Sequence, residues 1–370
     1  MSAPTRTRHL YLHLPFCAAR CGYCAFVVEV GSLARRDDYL AALLGELERE
    51  RPLLGALDTV YLGGGTPTLM GAERLTVLLE RIRPLLAPGA EVSVEANPET
   101  VEPALLAVLR GAGVTRLSLG VQSFQPHLLG SLDRAAGPAR SREAFALARE
   151  AGFASVSVDL LFGVPGQTPD DLEDDIAELL ALGPDHVSWY ELELKPGSAL
   201  ARREGVALDE EFAADAYERV VASLEGGGYR WYETANFARP GHECRHSLAY
   251  WQSRDYVGLG VGAVSTVAGR RWRNAPGLDG YLRAAGAGVE PPRTHERLDP
   301  ATRRRERWML SLRLDRPLQL AEVGPPDHPE AIERLRALGL VDEGPAGLVA
   351  LSRRGRFLQN AVLHELMEYA

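Results

Sequence analysis

The chain has 370 residues, 46% of them hydrophobic and 25% charged, with a formal net charge of −9. That length exceeds one ordinary core and points to a large α/β domain with a smaller one, while the acidic balance excludes a general polyanion binder, whose phosphate partners demand a basic face. No apolar run reaches the roughly 18 residues of a membrane span, and the opening Met-Ser-Ala-Pro-Thr-Arg-Thr-Arg carries no apolar signal segment, so the expected compartment is the cytoplasm.

From about residue 9 to 225 one unit recurs: a short β-rich run, a loop and an amphipathic stretch. The strand candidates are 9–15, 58–63, 91–96, 115–121, 155–161 and 186–193, rich in Val, Leu and aromatic residues and read as lacking strict alternation. Strands of that kind are buried on both faces, as in a parallel sheet. Helical patterns lie between them, such as Tyr39-x-x-x-Leu43-Leu44-x-x-Leu47 and Leu75-x-x-Leu78-Leu79-x-x-Ile82. Six such units predict parallel strands with right-handed crossovers, closing as a full or a partial barrel, with the chemistry on the loops after the strand C-termini. Residues 229–238 alternate enough to predict one further strand. From about residue 298 the pattern reads helix (303–314), helix (328–338), a hairpin-like stretch from Gly339 to Ser352, and helix (353–368). The predicted divisions are a core barrel over 1–228, an extension over 229–297, and a winged-helix-like α+β domain over 298–370.

Three of the four cysteines, Cys17, Cys21 and Cys24, fall within eight residues after the first strand. Closely spaced thiolates select zinc or iron–sulfur clusters over hard cations. Structural zinc wants four protein ligands, which Cys244 or a histidine would have to complete; three thiolates suit a [4Fe–4S] cubane with one iron left open. An odd number of cysteines with no secretory signal argues against a disulfide framework.

The CxxxCxxC spacing behind a short apolar strand resembles the radical S-adenosylmethionine (SAM) proteins. Tyr11-x-His13-x-Pro15-Phe16-Cys17 and Gly63-Gly64-Gly65-Thr66-Pro67-Thr68 narrow the resemblance to the group holding the oxygen-independent coproporphyrinogen III dehydrogenases and the HemW heme chaperones. The resemblance implies a partial (β/α)6 barrel, a cluster on Cys17, Cys21 and Cys24, and SAM beside it. It implies SAM roles for Tyr11, for Gly64, Gly65 and Thr66 in the second loop, and for Gln122 and Arg134 in the fourth. Asp159 in the fifth, ahead of the turn Gly163-Val-Pro-Gly-Gln-Thr168, matches the family's acidic position. Glu95, ending the third strand, could accept hydrogen bonds from ribose hydroxyls. Tyr23 is expected to pack by the cluster or adenine.

The stretch Gly241-His-Glu-Cys244-Arg-His246-Ser247-Leu-Ala-Tyr250-Trp251 resembles the His-Asn-x-x-Tyr-Trp motif of the HemW group, with Ser247 in place of Asn. Two histidines and a cysteine beside aromatic rings offer axial ligands and a flat apolar surface, which makes His246 and Cys244 the heme candidates. Val264 stands where that group commonly shows histidine. The dehydrogenases' long N-terminal arm and fourth cysteine are missing, with Phe26 at the latter position. The resemblance thus implies a heme chaperone carrying heme, a [4Fe–4S] cluster and SAM. Its partners would be a heme acceptor, with a respiratory protein as one candidate, and an electron donor such as flavodoxin or ferredoxin, with dimerisation an option. The alternative is the radical decarboxylation of coproporphyrinogen III. Arg353, Arg354 and Arg356 in the last domain suggest DNA less than they suggest a helix surface; covering the barrel's open side or meeting a heme acceptor is the favoured role.

Overall fold

In the computed structural model, which describes residues 6–342, 344–345 and 347–367, six parallel strands follow one another in chain order. They are β1 (Thr7–Leu14), β2 (Leu54–Gly64), β3 (Leu86–Ala96), β4 (Arg116–Gln122), β5 (Ser155–Phe162) and β6 (His186–Glu191). The crossover helices are α1 (Arg36–Glu50), α2 (Ala72–Ile82), α3 (Pro103–Gly111), α4 (Pro138–Glu150), α5 (Pro169–Leu182) and α6 (Glu210–Gly226). Each predicted strand falls on one of these strands, three of them (9–15, 115–121 and 186–193) overrunning by one or two residues, and both predicted helical patterns lie inside α1 and α2. Together they form the expected partial (β/α)6 barrel, its sheet left unclosed.

The strands do alternate, contrary to the reading from sequence. Register places Tyr11, Tyr61, Ser93, Arg116 and Ser155 in one row across the sheet. Glu95, Ser118, Ser157 and His186 form the next row towards the strand C-termini, then Gly120, Asp159 and Ser188. Paired residues in a parallel sheet share a face, so these rows line the barrel's inside. The alternate positions, including Leu10, Leu12, Val60, Leu62, Val92, Val94, Leu117, Leu119, Val156, Val158 and Val187, are buried with Leu43, Leu47, Leu75, Leu78 and Leu109 of the helices. The main hydrophobic core is thus the shell between sheet and helices, and the inside of the barrel is polar. Flanking leucines and valines masked that period two.

One barrel strand was not anticipated. β9 (Val257–Leu259) adds in parallel beside β1, while β7 (Arg230–Trp231) and β8 (Asn236–Ala238) extend the other edge, β8 running antiparallel to β6. The single strand predicted over 229–238 is therefore a fold-back of two. The fully buried Glu233 makes the reversal by accepting the Ala235 N–H at 3.2 Å and the Asn236 amide.

β9 is held by Glu46 of α1, whose side chain is buried completely. It accepts hydrogen bonds from the Gly260 N–H (2.8 Å), Asn274 Nδ2 (2.7 Å) and Tyr281 Oη (2.6 Å), and pairs with Arg293 at 2.7 Å. Asn274 and Arg293 belong to a small antiparallel sheet, Val264–Val267, Arg270–Asn274 and Arg293–Arg297.

The C-terminal segment builds a second core from Trp308, Leu312, Leu335, Val349, Val362 and Leu366. Its first helix is Pro300–Ser311, earlier than predicted because Asp299 accepts the Thr302 N–H and caps it. The predicted helix over 328–338 appears as Ala331–Ala337. The predicted hairpin is reduced to a single Val341–Leu351 bridge, and Leu348–Val349 pairs instead with Leu318–Gln319; residues 343 and 346 of its turn lie outside the described residues. The last predicted helix is broken at Leu358 into Arg353–Phe357 and Gln359–Leu366, with residue 368 outside the described residues. Arg356 donates to the Trp231 carbonyl at 2.8 Å and lies 3.5 Å over its ring, Arg353 pairs with Glu225 of α6, and Arg354 donates to the Leu338 carbonyl. Residues 1–5, including part of the opening read for a signal segment, are outside the described residues. Among those described, no helix is long and apolar enough to cross a membrane.

Arg293 would keep Glu50 and Glu290, but the buried Gly260 amide and Tyr281 hydroxyl would lose their acceptor, so Glu46→Ala should cost about 3–5 kcal/mol. Chemical denaturation with fluorescence would measure it; a loss below about 1 kcal/mol would contradict this account of β9.

Candidate functional site

The loops after β1 to β6 surround a cavity of about 430 Å³, lined at one end by Cys17, Cys21 and Cys24 and at the other by Arg116, His186, Cys244 and Ser247. The three thiols are half-buried and unbridged, and Cys244 is buried apart from them. Its sulfur faces Glu91 Oε1 at 3.7 Å, halfway along β3, so it offers no fourth ligand to the trio. Among the described residues no group of three His, Cys, Asp or Glu converges on a single metal ion.

A chain of polar contacts ties the cysteines to the second, third and fourth loops. Cys17 Sγ lies 3.7 Å from Thr66 Oγ1, Asn97 Nδ2 donates to Thr66 Oγ1 at 3.0 Å, and Arg134 Nη2 donates to Asn97 Oδ1 at 3.1 Å. Arg134 Nη1 then reaches Cys21 Sγ at 3.4 Å, and Nη2 also donates to the Gly120 carbonyl at 2.5 Å. Burial pushes the Cys17 and Cys24 thiols up, and the Thr66 hydroxyl opposes that rise at Cys17. Three free cysteines on one cavity, with Cys17 and Cys21 beside different neighbours, fit a cubane whose ligands serve separate irons.

Gly64 and Gly65 serve packing as much as any ligand. A Cβ on Gly64, whose φ is +117°, would stand 2.6 Å from the His13 ring, and one on Gly65 would stand 2.6 Å from the Pro15 carbonyl. Only glycine lets this loop lie against the Pro15–Phe16 backbone just before Cys17, which is how Thr66 reaches the sulfur. Gln122 also has positive φ, 74°, where the β4 ladder slips by one residue. Its loop is clamped by Asp175 of α5, which accepts from Ser123 Oγ (2.7 Å), the Phe124 N–H (2.8 Å) and Gln125 Nε2 (3.2 Å). A short helix, Pro126–Ser131, separates Gln122 from Arg134, yet both side chains reach the cavity. Thr168 of the Gly-x-Pro-Gly-Gln-Thr turn caps α5 reciprocally with Asp171, so that part of the turn is a helix start.

Glu95 is half-buried at the cavity wall and accepts from Tyr61 Oη at 2.8 Å and the Gly64 N–H at 3.1 Å. Burial pushes its carboxyl up to about 7, with nearby Asp159 adding to the rise and the Tyr61 bond opposing it. Asp159 is raised by burial too, against the hydrogen bonds of Ser188, Ser118 and Ser157. Ser157 contacts His186 Nδ1 at 2.8 Å, and His186 Nε2 contacts Tyr232 Oη at 2.8 Å, continuing the chain to the Cys244 N–H. Burial, then Arg116, hold His186 neutral.

Of the predicted residues, Cys17, Cys21, Cys24, Tyr23, Gly64, Gly65, Thr66, Glu95, Gln122, Arg134, Asp159 and Cys244 line this one cavity. Tyr11 and His246 do not. Tyr11 bonds His13 Nδ1 at 3.0 Å, and His13 Nε2 holds the Val27 carbonyl at 2.8 Å, so Tyr11 supports the cysteine loop from behind. His246 is buried with both ring nitrogens engaged, Nδ1 to Thr59 (2.8 Å) and Nε2 to Tyr250 (2.9 Å), and presents no free donor to an iron. Cys244 does face the cavity, with its thiol pushed up to about 11 by burial and by Glu91. Sequence reasoning missed Asn97, Arg116, Ser118 and His186; the alternations Glu-Val-Ser-Val-Glu-Ala-Asn and Arg-Leu-Ser-Leu-Gly would have revealed the first three, and His-Val-Ser-Trp the fourth.

The Radical SAM superfamily matches residues 11–179 of this chain. The heme chaperone HemW of Mycobacterium tuberculosis is 42% identical over 97% of this chain and 94% of its own length. The chain belongs to the HemW family of radical SAM proteins. Its HemW relative from Escherichia coli is 37% identical over 70% of each chain. Among solved structures, the coproporphyrinogen III oxidase HemN of Escherichia coli superposes on this HemW family member with a TM-score of 0.86. That match covers 99% of this chain and 91% of the other at 24% identity, a likeness of fold.

In ligand-free protein, Glu95 gives a signed pH dependence. Its folded value, about 7, lies above the ordinary 4.5, so the folded state keeps a proton that the unfolded chain has lost between those values. Stability therefore falls as pH rises through that window, and Glu95→Gln should remove the fall. The variant should match wild type at pH 4.5 and exceed it above pH 7 by up to about 3 kcal/mol, read by denaturant titration at several pH values.

Proposed function

We propose that this chain is a heme chaperone that holds a [4Fe–4S] cluster on Cys17, Cys21 and Cys24, binds SAM in the adjoining cavity and passes heme to an acceptor protein. The observation carrying this reading is the convergence of three free cysteines on one cavity, in a chain 42% identical over nearly its whole length to a protein named heme chaperone HemW. A reduced cluster with an open iron would supply an electron and a chelating site for SAM's amino and carboxylate groups. The protein's part is position and charge. Arg134 and Thr66 would neutralise the cysteine sulfurs, Gln122 and Arg134 would meet a carboxylate, Glu95 and Asp159 would accept hydroxyl protons, and Tyr23, packed among Leu128, Leu132 and Leu161, would wall the cavity. Free thiols and a reducible cluster suit the cytoplasm, with flavodoxin or ferredoxin as electron donor.

Replacing any one of Cys17, Cys21 or Cys24 by Ser should abolish the cluster, measured as iron and acid-labile sulfide after anaerobic reconstitution; full retention would refute the assignment. Cys244→Ser should retain both, since that sulfur lies at the cavity's far end.

Anaerobic titration with heme, followed in the Soret region, tests the chaperone role. Wild type should bind one equivalent. His246→Ala should lower thermal stability by removing two buried hydrogen bonds, yet keep the Soret change per folded molecule, whereas Cys244→Ala should reduce it. No heme binding, together with decarboxylation of coproporphyrinogen III in the presence of SAM and reductant, would replace this reading by the radical decarboxylase.

A further inference from the structure

Arg116, near the start of β4, lies on the floor of the cavity and is only 3% exposed. Its Nη1 is engaged, donating to Ser155 Oγ at 2.9 Å and the His242 carbonyl at 2.8 Å, but its Nη2 is buried with no hydrogen-bond partner. Ser93, beside it in register, has a buried hydroxyl that is also unpartnered. Among the described residues no carboxylate lies within ion-pair distance of this guanidinium. Glu91, the acidic residue of the floor, spends its oxygens on the Cys244 thiol and the Arg245 and His246 amides.

Burying a guanidinium costs several kcal/mol of lost hydration unless an anion and full hydrogen bonding offset it. A molecule that served only as scaffold would place a carboxylate there or dispense with the charge. Arg116 instead lines the cavity with one edge of its donor fork buried and unpartnered, and Ser118, Asn236 and Ser247 are polar neighbours along the lining. The cysteines stand at the opposite end, so a ligand at this floor would lie deeper than one bound at the cluster.

We propose that Arg116 anchors an anion subsite at the barrel floor that takes a compact carboxylate, distinct from the SAM position at the mouth. The planar fork suits a carboxylate oxygen, and the unpartnered Ser93 Oγ–H beside it in register supplies a donor to the second. The carboxylate comes either from a small free acid or from the propionate arm of a tetrapyrrole. Only the second source depends on the heme reading.

The test is calorimetric titration of the cluster-reconstituted protein with sodium propionate, and with heme beside heme dimethyl ester, for wild type, Arg116→Gln and Arg116→Lys. Wild type should bind propionate, at least tenfold tighter than Arg116→Gln, with Arg116→Lys in between. If heme also outbinds its ester tenfold and Arg116→Gln removes that gap, the tetrapyrrole arm is the source; if heme and ester bind alike, or neither binds, the source is a free acid. Absence of heme binding alone therefore defeats the chaperone reading and leaves this one standing on propionate. No propionate binding by wild type and no preference for heme over its ester overturns the subsite. SAM binding and iron content report whether Arg116→Gln has folded. Should it not fold, Arg116→Lys decides, and less than a threefold change in propionate affinity overturns the proposal.

Discussion

The two-residue period of a parallel strand is the constraint on which this molecule depends. Each strand must satisfy the helices on one side and the barrel's inside on the other, so Leu117 and Leu119 serve stability while Arg116 and Ser118 between them serve the cavity. Barrels of this general kind are often filled by aliphatic side chains. Here the inner rows carry serines, acids, a histidine and an arginine, and the energetic weight of the fold rests in the outer shell. The cavity can therefore hold polar groups whose arrangement a packed interior would not permit.

Buried polar groups must be satisfied, and the way they are satisfied here joins distant loops. The contacts from Cys17 through Thr66, Asn97 and Arg134 to Cys21 span four successive strand ends. Displacement of one loop would break a bond belonging to another, so the cysteine loop is positioned by the three loops beside it. Asp175 reinforces the fourth loop from the helical shell, and Tyr11 with His13 reinforces the first from beneath. The glycines of the second loop act sterically, by fitting against Pro15 and His13.

Much of this was legible in the sequence. Six repeated units were enough for the partial barrel, because each strand carries its own apolar run and each helix its own stripe. Cys17, Cys21, Cys24, Thr66, Glu95, Gln122, Arg134 and Asp159 were readable as residues ending successive strands or in the loops after them, and the cavity brings them together. The exceptions have a common cause. β9 is three residues long with glycine at its centre, so pairing with β1 and the reach of Glu46 define it, not its own propensity. His246 carried the correct chemistry for a ligand, but which way a side chain faces is settled by Thr59 and Tyr250, more than a hundred and by four residues away respectively. The fold-back at Glu233 and the break at Leu358 likewise arise from tertiary contacts that local pattern does not encode.

The placement of β9 also bears on biosynthesis. The strand leading into the cysteine loop is made first, yet its neighbour on one side is a segment some 250 residues later in the chain. At ribosomal rates of about 5–20 residues per second, β1 waits on the order of ten seconds or longer for that edge to be made. Until then the backbone edge of β1 lacks its partner and Gly260 cannot meet Glu46. An iron–sulfur centre held as proposed on Cys17, Cys21 and Cys24 would thus be assembled at a late stage of maturation, after nearly the whole barrel has left the ribosome, and the nascent cysteines would need a reducing, iron-buffered environment for that interval.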